Sequence, residues 1–196
     1  MSSGLTIEEL EASWRERRSI RAFSPEPVDP DVLAQLFTAA QRAPSWCNVQ
    51  PWRVVVTTPP RTAALAAAMQ AAARSGLPQS EVPFPIEYPS PYKEHRIACG
   101  AALYRALRVA REDKAGRYDA WLRNYAFFDA PHVAIVACDR RLGPYAYVDV
   151  GVWLGYVLTG CAALGLALGY ADAAVPANRT RTTREPVESN VTFVVR

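Results

Sequence analysis

The sequence predicts a single α+β domain, and three observations carry that expectation. Its 196 residues suit one domain, and half of them are hydrophobic, enough for a sizeable core without disulfide staples. Helical and strand periodicities alternate along the chain without the regular strand–helix–strand rhythm of a doubly wound sheet, which favours α+β. No internal repeat or low-complexity block interrupts residues 1–196.

Each element follows from local pattern. Thr6 and Glu9 have the form of a capping box, and Ile7, Leu10 and Trp14 share one face of the helix that follows, up to about Arg18. Asp29-Pro30 starts a second helix, with Asp29 as N-cap and Pro30 at its first position; Val32, Leu33, Leu36, Phe37 and Ala40 form its apolar stripe, and Pro44 ends it. Trp52 to Thr57 reads as a β-branched strand. Arg61 to Arg74 reads as an Ala-rich helix closed by Gly76. Residues 77–92 hold five prolines, which excludes regular helix or central strand and predicts a long surface loop. Helices are expected from Lys93 to Arg111 and from Arg117 to Phe127, then a buried strand from His132 to Cys138. Tyr147 to Leu164 reads as an apolar helix, Leu166 to Tyr170 as a strand, and 171–196 as a polar tail with a last short strand at Val191 to Val195.

The uncharged run from Val150 to Tyr170 is long enough to span a bilayer. Its five glycines, its flanking Asp149 and Asp172, and the lack of a basic cluster instead indicate a buried helix running into a strand. The net charge is +3, with 22 basic residues scattered in ones and twos, so no nucleic-acid partner is implied. Four cysteines without a CxxC pair, and no signal sequence, read as free thiols in a cytoplasmic protein. Two histidines cannot form a metal site without further ligands. Nothing in the sequence supplies a base for Cys47, and there is no GxGxxG, Walker A, HExxH or GxSxG signature.

Three clusters stand out. Arg17-Arg18-Ser19-Ile20-Arg21 places three guanidinium groups and a hydroxyl where the first helix ends, a set suited to a multiply charged anion. Taken alone, it also reads as a solvated basic face. Ala43 to Trp52 is a Pro-pinned loop with Ser45, Asn48 and Gln50 between aromatic residues, suited to a planar heterocycle with polar edges, or simply a helix–strand connection. Asn178 to Arg184 carries Arg179, Arg181 and Arg184 where no core pattern exists, which alone reads as a disordered basic tail.

The order and spacing of Arg-Arg-Ser-Ile-Arg-Ala-Phe at 17–23 and Ala-Pro-Ser-Trp-Cys-Asn-Val-Gln-Pro-Trp at 43–52 resemble the nitroreductase family. Asn124 to His132, Asp149-Val-Gly-Val-Trp-Leu, Gly169-Tyr-Ala-Asp and Pro176-Ala-Asn178 through Pro186 are also similar. The resemblance implies a central mixed sheet flanked by helices, and an intertwined homodimer holding FMN at the subunit interface. It implies that Arg17 and Ser19, with Arg18 beside them, meet the FMN phosphate and ribityl chain, that Arg21 approaches the pyrimidine side of the ring, and that Arg184 and Arg181 return to the phosphate. Pro44, Ser45 and Asn48 would come from the other subunit, and the tail at 171–196 would reach the partner. NADH or NADPH would supply electrons, passed in ping-pong turnover to a nitroaromatic, quinone or similar small acceptor, with the chemistry carried by the cofactor and no catalytic side chain required.

One departure accompanies this resemblance. In the family, a loop and a further helix follow the Leu-Gly-Leu end of the core helix, whereas here Leu164-Gly165-Leu166 runs directly into Ala167 to Asp172. Loss of that stretch would expose the reactive edge of the flavin, and the alternative function is then a catalytically weak, flavin-sequestering protein.

Overall fold

The computed structural model describes residues 6–76, 80–163, 169–184 and 186–190. The expected gap after Leu166 and the strand at Val191 to Val195 lie outside them. Helices α1 (Ile7–Glu16), α2 (Pro30–Ala40), α3 (Pro59–Ser75), α4 (Tyr92–Leu107), α5 (Lys114–Leu122), α6 (Pro144–Ala163) and the short α7 (Val187–Asn190) surround strands β1 (Arg53–Val56) and β2 (Ala134–Ala137). Among the described residues the regular sheet is this antiparallel pair, with Arg53 opposite Ala137 and Val56 opposite Ala134.

Local codes set several boundaries. Thr6 Oγ1 accepts the Glu9 N–H at 3.2 Å while Glu9 accepts the Thr6 N–H at 2.8 Å, so the capping box of α1 is complete. Asp29 caps α2 through the Asp31 N–H, with Pro30 in the first turn. Three expectations need correction. Helix α2 ends at Ala40, four residues before Pro44, because the chain turns over Gln41 and Arg42. Helix α3 starts at Pro59, two residues before Arg61, while Gly76 closes it as expected, in an extended conformation. Helices α4 and α5 stop at Leu107 and Leu122, the first closed by Arg108 in the left-handed region at φ 57°.

The core forms where α2, β1 and α6 meet. Leu36, Ala40, Ala43, Trp52, Trp153, Val157 and Cys161 make one buried cluster, and Trp153 stacks between Phe37 and Trp52 with ring centroids about 6 Å apart. At Gly160 a methyl group would come within 2.6 Å of Leu36 Cδ1, so the glycine lets α6 lie close on α2. His132, just before β2, is buried and satisfied: its Nε2 accepts the Val28 N–H at 3.1 Å and its Nδ1 faces the Thr57 carbonyl at 2.9 Å.

β2 is only half-buried, against the expectation of a buried strand; Ile135 and, across the ladder, Val55 are open to solvent. The same holds for α6. Ala146, Asp149, Trp153, Val157 and Cys161 face the core at helical spacing, yet Tyr147, Val148, Val152, Leu154, Tyr156 and Leu158 are exposed. Among the described residues no helix is long and apolar enough to cross a membrane. Residues 80–91 form the irregular, exposed segment that the prolines dictate. The tail from 171 is not a loose basic end: Ala177 and Asn178 are fully buried in a 3-10 turn, Pro176–Arg179, which packs beside α4.

Candidate functional site

The first and third sequence clusters converge. The chain leaving α1 carries Arg17, Arg18, Ser19 and Arg21, and these line a cleft of about 460 Å³ together with Thr180, Arg181, Thr182 and Arg184 from the tail. α1 contributes Glu11, Trp14 and Arg15, and α4 contributes Cys99 and Leu103. Six guanidinium groups therefore border one space. Among the described residues Glu11 is the one carboxylate on that lining, and it is engaged by Arg15 at 2.6 Å.

Asn178 holds the two segments together. Its Oδ1 accepts the backbone N–H of Arg21 at 2.7 Å, and its Nδ2 donates to the carbonyls of Ala22 and Asp172, each at 2.8 Å. Its own carbonyl accepts from Arg18 Nε at 2.8 Å. A bridge between Phe23 and Ala171 and a bond from the Ser24 N–H to the Tyr170 carbonyl extend this seam. Arg181 reaches back to the carbonyl of Arg15 at 3.0 Å. Beneath the seam, Gly169 passes so close to Pro131 Cδ that a Cβ would lie 2.7 Å from it. On the far side Arg123 bridges the Arg21 carbonyl and the Asp129 carboxylate.

Thr180 lines the same cleft, and its Oγ1 is buried with no hydrogen-bond partner among the described residues. With the guanidinium excess, the apolar Trp14 and Leu103 and the hydroxyl of Ser19, the lining suits an elongated organic anion with a phosphate end. Thr180 gave no signal in the sequence beyond its place among the tail arginines. Asn178 was visible there only as part of a motif.

The second cluster lies elsewhere. Pro44, Ser45 and Asn48 do not line the cleft. They sit on the connection from α2 to β1, where Cys47, Asn48 and Gln50 all have positive φ, at 46°, 58° and 49°. Such conformations are unfavourable for residues with a Cβ and concentrate at functional sites. Ser45 Oγ accepts the Gln50 N–H at 2.9 Å, and Asp149 of α6 accepts the Trp46 N–H at 3.1 Å.

A family model described as "Nitroreductase family" matches residues 14–175. The chain is similar to a 4-nitrobenzoate reductase of Nocardioides sp. (strain LMS-CY), with 32% identity over 96% of this chain and 91% of that protein. It is similar to a nitrobenzene nitroreductase of Ectopseudomonas oleovorans, with 30% identity over 92% of this chain and 94% of that one. Among solved structures it is similar to the FMN and NADPH-dependent nitroreductase NfnB of Sphigopyxis sp. strain HMH, with 33% identity, a TM-score of 0.85, and coverage of 95% of this chain and 99% of that one. The alignment with the Nocardioides protein runs over 224 positions, more than the 196 residues of this chain, so it opens gaps here.

Proposed function

Because the chain belongs to the nitroreductase family, we propose that it is an FMN-dependent oxidoreductase that reduces small nitroaromatic or quinone-like acceptors at the expense of NADH or NADPH. The observation that carries this reading is the cleft in which Arg17, Arg18, Ser19 and Arg21 meet Arg181 and Arg184. FMN, held by these residues, would supply the redox chemistry that links the nicotinamide donor to the acceptor in ping-pong turnover.

The chain's own residues bind and orient. Arg17, Arg18, Arg181 and Arg184 neutralise the phosphate, since guanidinium forks match its oxygens. Ser19 adds a donor along the ribityl chain. Arg21, fixed through Asn178 and Arg123, brings positive charge to the pyrimidine side of the ring. No side chain is assigned a covalent or proton-transfer role.

Pro44, Ser45 and Asn48, which do not line the cleft of their own chain, are proposed to serve the site of a second copy, as the family resemblance implies. The surface supports a homodimer. The exposed face of α6, with Val148, Val152, Leu154 and Leu158, is the apolar surface a partner covers.

The visible absorption spectrum of the purified protein, before and after anaerobic addition of NADH and NADPH, tests the reading. A flavin spectrum that bleaches with either donor and returns with a nitroaromatic supports it. Failure to bind FMN on reconstitution overturns it. FMN that binds but resists both donors places the protein in the flavin-sequestering alternative.

A further inference from the structure

The strained connection between α2 and β1 is held from α6. Within the loop, the Asn48 N–H donates to the Ser45 carbonyl at 3.0 Å and the Gln50 side-chain amide to the Asn48 carbonyl at 3.0 Å. These bonds tie the loop to itself and leave its placement open. Besides Arg53 of β1, which donates to the Gln50 carbonyl at 3.1 Å, two contacts from α6 hold it in place. Asp149 Oδ1 accepts the Trp46 N–H at 3.1 Å, and the Trp46 ring lies tilted on Tyr145, with centroids 5.9 Å apart.

Tyr145 and Asp149 are four residues apart on α6 and so project from one side of it. Asp149 is buried, 8% exposed, and a buried carboxylate is unfavourable unless a donor meets it. Left-handed residues such as Cys47, Asn48 and Gln50 persist only where their surroundings over-determine them. The Asp149–Trp46 bond does this from outside the loop, and it comes from the helix whose other face is exposed and apolar.

We infer that Asp149 is a positioning residue for the flavin site: through the Trp46 N–H it sets the 44–50 loop so that Pro44, Ser45 and Asn48 reach the cofactor of the partner copy. The inference rests on the FMN reading above. It makes α6 the common support of subunit contact and loop placement, so the loop is presented correctly only from a helix that is itself in place.

The test is a fluorescence titration of the flavin-free dimer with FMN, with denaturant midpoints measured alongside, for the unmutated protein and for Asp149→Ala, Asp149→Asn and Asp149→Ala with Cys47→Gly. Absence of FMN binding by the unmutated protein overturns the cofactor reading itself, which separates that failure from failure of this inference. Asp149→Ala is expected to weaken FMN binding about tenfold or more, by loss of a charge-assisted bond. Asp149→Asn keeps an accepting oxygen and stays within about threefold. Adding Cys47→Gly recovers much of the loss, because glycine adopts positive φ freely. Unchanged affinity in Asp149→Ala, equal losses in Ala and Asn variants, or no recovery with Cys47→Gly overturns the inference. If Asp149→Ala does not fold, Tyr145→Ala carries the test from the other contact: affinity reduced about threefold supports it, and unchanged affinity overturns it.

Discussion

The side-chain amide of Asn178 accepts the backbone N–H of Arg21 at 2.7 Å, across 157 positions of sequence. With its donors also engaged by Ala22 and Asp172, the amide has a partner at each polar atom. Asn178→Ala leaves these groups unmatched in a buried seam, and a destabilisation of about 2–4 kcal/mol is expected from denaturant unfolding. Asn178→Asp keeps the acceptor but turns a carboxylate toward two carbonyl oxygens, so it should not rescue. An unchanged unfolding midpoint in Asn178→Ala would show that water substitutes for the amide.

Arg17 faces the cleft with one role in the proposed scheme, contact with the phosphate. Arg17→Ala should weaken FMN binding by about 1.5–3 kcal/mol, the range for a hydrogen bond to a charged group. Riboflavin, which lacks the phosphate, should bind the variant and the unmutated protein alike. Parallel titrations with both flavins decide it: equal losses for the two would move Arg17 away from the phosphate.

Val148 and Leu154 sit on the unburied face of α6. Val148→Glu and Leu154→Arg place charges where the proposed partner packs, and desolvating an unpaired charge there is strongly unfavourable. Light scattering should find twice 21.6 kDa for the unmutated protein and a monomer for the variants. Variants that remain dimeric would place the interface on another face.

Glu9 links α1 to pH. Its carboxylate lies below the usual carboxylate range, first because it accepts the Thr6 backbone N–H and then because it accepts the Thr6 hydroxyl. A group depressed in the folded state contributes fully above its unfolded pKa, and that contribution is lost as pH falls through the folded value. The start of α1 should therefore fray in acid, and Glu9→Gln should flatten the effect. An NMR titration of the Glu9 carboxyl gives the check: a midpoint equal to that of glutamate in an unstructured peptide would remove the premise.

Where the physics is local, the sequence was readable to the residue. Thr6 with Glu9, and Asp29 with Pro30, mark helix starts because capping bonds and proline geometry act within one turn. Helix ends were read less well. Arg108 closes α4 in a left-handed conformation that its residue type does not announce. The half-exposure of β2 escaped prediction because an apolar strand reads the same whether its cover comes from its own chain or from another. The arginine clusters of the site were legible as charge. The roles of Asn178 and Asp149 were not, since they depend on bonds to residues over a hundred positions away.

The separation of the arginine cleft from the 44–50 loop on one chain has a genetic consequence. If each site takes its cleft from one copy and its loop from the other, damage to either part is not private to the copy that carries it. A chain crippled at Arg17 and a chain crippled at Asn48, each inactive alone, would form mixed pairs in which both lesions fall on one site and the other is whole. Co-expression of two dead alleles would then restore activity, whereas two lesions within the cleft would never complement.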